Sequence, residues 1–128
     1  MGLDFRIEGH EGRLPGTSYS GFNNFRKRLC EAVGIDGAPI YTPGFSDEAK
    51  YQAANTAAMA HALGPLLMHS DCDGELSVAE CAQCIAPLRE VCRTLNGGPN
   101  AEYDRHFGIA LSEAMLIAVR EGKPLEFC

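Results

Sequence analysis

"HSDCDGELSVAECAQCIAPLREVCRTL", residues 69–95, changes character at Ser77. Before that serine the stretch is acidic and turn-forming. After it, Val78, Cys81, Ile85, Leu88, Cys92 and Leu95 recur at alternating spacings of three and four, which gathers the apolar side chains on one helical face. Ser77 and Glu80 form S-x-x-E, a capping box in which hydroxyl and carboxylate satisfy backbone donors at a helix start. Leu76 and Cys81 flank it as a hydrophobic staple. Pro87 lies inside the stripe and predicts a kink, or a split near Ala86.

Working outward, the same grammar of caps and stripes recurs. Tyr19, Phe22, Phe25, Leu29 and Val33 fall at helical spacing, with Ser18 or Ser20 as the cap and Gly34 followed by apolar Ile35 as the stop. "DGAPIYTPGF", residues 36–45, is a connection. Ser46 with Asp47 and Glu48 opens an alanine-rich helix that ends near Leu63, because Gly64 and Pro65 stop it. Pro65 can open a short helical turn towards His69. "NGGPN", residues 96–100, is a second break, and a nearly apolar final helix runs over 101–121 to Gly122 as the central helix. Leu3, Phe5 and Ile7 alternate with polar residues as a half-buried strand does, residues 9–18 read as a loop, and "LEF" at 125–127 supplies a second strand. The expected fold is therefore mainly α. It is a single-domain bundle over 1–128 of about four main helices, one of them proline-broken, with a small two-stranded pairing of the termini.

Composition narrows the function classes. With 128 residues, 45% apolar and 22% charged, the chain suits one ordinary globular core. Seventeen acids against eleven bases argue against a nucleic-acid surface, and the basic run Arg26, Lys27, Arg28 reads as a solvated face. The most apolar run, Ile109 to Val119, is interrupted by Ser112 and Glu113, so no membrane span is expected. "MGLDFRIEGHEG" has no export-signal pattern, which places the chain in the cytoplasm and its six cysteines in the thiol form.

The acidic half of the opening stretch fits a twelve-residue EF-hand-like loop at 69–80 when Gly74 takes the sixth position. Asp71, Asp73, the Glu75 carbonyl, Ser77 and Glu80 then occupy positions three, five, seven, nine and twelve. Calcium wants six to eight oxygens, a glycine allows the sharp turn, and a glutamate at twelve binds through both oxygens. His69 stands at position one, where an aspartate is usual, and a neutral imidazole suits a hard cation poorly. Gly64 and Pro65 also interrupt the entering helix. A second set, His69, Cys72, Cys81 and Cys84, offers zinc the nitrogen and sulfur it prefers, although Cys81 and Cys84 belong to a helical stripe. A Cys72 nucleophile with His69 as base lacks a third, orienting group. The plain alternative is a turn followed by a capped helix, which leaves the crowding of Asp71, Asp73 and Glu75 unexplained. His61 and His106 read as surface or structural residues. His10 lies in a loop that could approach the site.

The stretches "SYSGFNNFRKRLCEAVGI", "LLMHSDCDGEL", "YDRHFGIALSEAM" and "EGKPLEFC" resemble a family of short bacterial and bacteriophage hypothetical proteins with a central HSDCDGE string. That resemblance implies a bacterial or phage cytoplasmic protein and brings no activity or catalytic residue with it. Two function classes follow. The first is a small non-enzymatic intracellular binding or structural protein with a weak calcium-type loop, its counterpart a macromolecule or a second copy of the chain, not nucleic acid or membrane. The second is a hydrolase-like enzyme that uses a cation held by Asp71, Asp73 and Glu80 as a Lewis acid. Zinc through the cysteine set remains a further alternative.

Overall fold

The computed structural model describes residues 2–95 and 98–128. Asn96 and Gly97, two of the five residues of the "NGGPN" break, lie outside the described residues, as does Met1. Helices dominate, and they follow the caps. Helix α1 spans Tyr19–Ala32, and the Ser18 hydroxyl accepts from the Gly21 N–H at 2.9 Å. It ends as its glycine requires: Gly34 adopts φ +81°, which lets the Ile35 N–H return to the Cys30 carbonyl at 2.8 Å. A single turn, α2 (Ala38–Tyr41), leads to α3 (Glu48–Ala60), capped by Asp47 where Ser46 was the expected start. Pro65 sits in the first turn of α4 (Gly64–Leu67).

Helix α5 (Val78–Thr94) corrects the expected proline break, because it is not split near Ala86 but continues through Pro87. The proline removes one backbone donor, at a cost of about 3 kcal/mol in a free helix. Cys81 and Cys84 before it and Leu88, Val91 and Cys92 after it are all buried, so both halves are held by the same core. Helix α6 (Ala101–Glu121) stops at Gly122, which takes the left-handed conformation at φ +67°.

The second correction is the sheet. Among the described residues four antiparallel strands stand where two were expected, in the order β2-β1-β4-β3, with β1 Gly2–Arg6, β2 Gly16–Ser18, β3 Glu75–Leu76 and β4 Leu125–Phe127. The expected pairing of the termini is its centre, with Phe5 opposite Phe127 and Arg6 opposite Glu126. The added strands have three and two residues, too few to show an alternation, and β2 falls inside the stretch expected to be a loop. Leu3, Phe5, Leu76, Leu125 and Phe127 of the sheet are buried, as is Ile7 just past the end of β1. Phe5 meets Phe127 edge-on with ring centroids 4.9 Å apart, and Phe25 meets Phe107 at 5.0 Å, so the aromatic layer joins sheet to helices. Gly108 of α6 lies so close to α5 that a Cβ there would overlap the Cys92 sulfur.

The basic run on α1 is not a solvated face. Successive residues on a helix point about 100° apart, and here they enter three environments. Arg26 is only 3% exposed. Arg28 forms a two-pronged pair with buried Asp104, Nε to Oδ2 at 2.6 Å and Nη2 to Oδ1 at 2.8 Å. Lys27 alone stays outside, 3.9 Å from Glu31. Among the described residues no helix is long and apolar enough to cross a membrane.

Candidate functional site: the 69–80 loop and its buried arginine

The loop is assembled from both ends. At its exit the capping box is complete: the Glu80 N–H donates to the Ser77 hydroxyl at 3.1 Å and the Ser77 N–H to Glu80 Oε1 at 2.9 Å. The Glu80 carboxylate is thus turned to backbone. Gly74, at φ +87°, makes the turn into β3 and accepts from the Phe127 N–H at 2.9 Å. Leu76 then pairs with Leu125 and is buried, while Glu75 stands directly opposite Glu126 on the outer face.

At the entry the carbonyls leaving α4 need donors, since a helix end carries four unsatisfied acceptors. Arg26 and Tyr41 supply them. The Arg26 Nη1 donates to the carbonyls of Leu66 at 3.3 Å, Leu67 at 3.4 Å and His69, and the Tyr41 hydroxyl donates to Leu67 at 2.7 Å. The guanidinium lies 4.3 Å from the Phe22 ring centre and 5.1 Å from that of Tyr41. Its Nη2 donates to the Asn23 side-chain oxygen, and the Asn23 amide donates in turn to Asp71 Oδ2 at 2.8 Å. One amide therefore relays the arginine to the aspartate. Burial lowers the Arg26 pKa from its usual value, and the fields of Tyr41 and Asp71 oppose that shift. Burial likewise drives the Tyr41 hydroxyl far above its ordinary range, so it stays a donor.

His69 closes the loop across its middle. Its ring stacks on Phe127 with centroids 3.8 Å apart. Nδ1 lies 2.8 Å from the Ser70 carbonyl oxygen and Nε2 3.0 Å from the Glu75 carbonyl oxygen. A neutral ring donates through one of these nitrogens and an imidazolium through both. The imidazole thus spans positions one and seven of the loop, and the carbonyl that a calcium ion would need faces His69.

Of the calcium set, Asp71 points to Asn23, Glu80 to its own helix start, and His69 to carbonyls. Asp73, Glu75 and Ser77 are exposed. Of the zinc set, the Cys81 thiol donates to the Leu76 carbonyl at 3.7 Å and the Cys84 thiol to the Ala62 carbonyl at 3.9 Å, while Cys72 is exposed beside Ser70. Burial pushes the Cys81 and Cys84 thiols up to about 11, so neither supplies a thiolate at neutral pH unaided. Among the described residues no group of three or more His, Cys, Asp or Glu side chains converges to hold a metal ion. The side chains as placed do not fit either metal. The crowding of Asp71, Asp73 and Glu75 is relieved in another way: one carboxylate is bound by an amide linked to a buried cation, and the other two face water.

The remaining histidines are elsewhere. His61 Nδ1 accepts from the Leu63 N–H at 3.0 Å as a local turn, His10 lies 3.6 Å from Glu121 at the end of α6, and His106 is exposed. The sequence pattern singled out neither Asn23 nor Tyr41 and put Arg26 on a solvated face, whereas it is buried. A signal for Arg26 was present, since it falls four residues after Phe22 and three before Leu29, inside the apolar stripe. Together these residues line a cleft of about 330 Å³ with Met68, His69 and Asp71. Comparisons with models of protein families, with curated proteins and with solved structures give no match.

Proposed function

We propose that this chain is a small non-enzymatic binding or structural protein in which residues 69–80 are a rigid connector that joins the sheet to α5. The observation that carries this is the engagement of His69, whose two ring nitrogens face the Ser70 and Glu75 carbonyls while its face covers Phe127. A cation would have to displace that ring from the Glu75 carbonyl, take Asp71 from Asn23 and take Glu80 from the Ser77 N–H. The hydrolase alternative makes the same demands on Asp71 and Glu80, and the zinc alternative asks Cys81 and Cys84 to leave the core. The proposal includes a cytoplasmic setting in a bacterium or phage. It also includes a macromolecular partner, or a second copy of the chain, as the binding counterpart.

The test is thermal unfolding with EDTA, then with calcium, magnesium and zinc in turn, beside metal analysis of the purified protein. A ligand that binds only the folded state raises its stability by mass action, about 2.7 kcal/mol at a hundredfold excess over Kd. The connector proposal expects superimposed melting curves and no stoichiometric metal. A saturable shift with calcium would restore the oxygen loop. Co-purified zinc that disappears in Cys72→Ser would restore the sulfur site.

A further inference from the structure

We draw no further inference here: the strongest candidate, the cleft of about 330 Å³ between α1, α2 and the 66–71 segment, carries nothing because Arg26 Nη1 and Nη2, the Asn23 amide, the Tyr41 hydroxyl, the His69 ring and Asp71 Oδ2 are taken up by one another and by main-chain carbonyls, and its buried unpartnered atom, Arg26 Nε, is itself enclosed.

Discussion

Arg26→Met keeps most of the arginine's length and removes the guanidinium, so it isolates what that group does for the loop. Its bonds are unequal. Those to the Leu66 and Leu67 carbonyls are long, at 3.3 and 3.4 Å, and Leu67 keeps the Tyr41 hydroxyl at 2.7 Å. The loss therefore falls mainly on the His69 carbonyl and the Asn23 side-chain oxygen. Each buried acceptor left without a donor costs about 1–3 kcal/mol. Two such acceptors come to about 2–6 kcal/mol, and the relief of no longer burying a cation takes back only part of it, because the guanidinium is already met by four acceptor oxygens and two aromatic faces. The balance is a loss of about 2–4 kcal/mol, a large share of the roughly 5–15 kcal/mol that holds a typical domain together. Urea unfolding followed by far-UV circular dichroism reads it directly. With a slope of about 1–3 kcal/mol per molar urea, the midpoint should fall by roughly 1–2 M. Arg26→Ala should fall further, because it leaves a cavity as well. If Arg26→Met lies within about 0.5 kcal/mol of the parent, the guanidinium does not organise the loop and the account given for its entry is wrong.

The other expectations concern packing, thiols and charge. Gly108→Ala should destabilise by about 1–3 kcal/mol through overlap with the Cys92 sulfur, and Cys92→Ala in the same chain should restore part of it; additive losses in that double-mutant cycle would refute the close approach. At pH 8 a thiol reagent should label Cys72 and Cys128 in the folded protein and all six cysteines in urea, since the other four are buried. The folded-state pKa of Cys81, Cys84 and Cys92 is raised by burial from an ordinary 9.0 to about 11. Their stabilisation is therefore whole below about pH 9 and lost as pH rises towards about 11. Denaturation midpoints that stay flat across that window would refute the burial of these thiols. Glu75→Lys should raise stability by about 0.2–1 kcal/mol, because it replaces a like-charge pair with Glu126 across two strands by an opposite-charge one; a decrease would show that Glu75 has another partner.

The helices were legible because their causes are local. Ser77 with Glu80, Ser18 before α1, Gly34 and Gly122 act on donors and acceptors within a few residues, and a stripe of period 3.6 reports which face is buried whatever buries it. The first strand was legible in the same way, from the alternation of Leu3, Phe5 and Ile7, whereas its pairing with 125–127 rested on "LEF" and on a lone strand's need of a partner. Pro87 marks a limit of local inference: its intrinsic cost is real, but the burial of Leu88, Val91 and Cys92 outweighs it.

What no local pattern contained is the partner of each polar group. His69 and Phe127 are 58 positions apart, Asn23 and Asp71 are 48 apart, and Arg28 and Asp104 are 76 apart. A carboxylate cluster has one meaning if its members converge on an ion and another if each is claimed singly. That choice depends on the directions in which α1, β4 and the capped helix deliver their side chains. The chain's order of residues specified a turn, a cap and an acidic loop at 69–80. Folding supplied the ring, the amide and the buried guanidinium that occupy the loop's acceptors, because hydrogen bonds are satisfied by whichever group lies nearest in space.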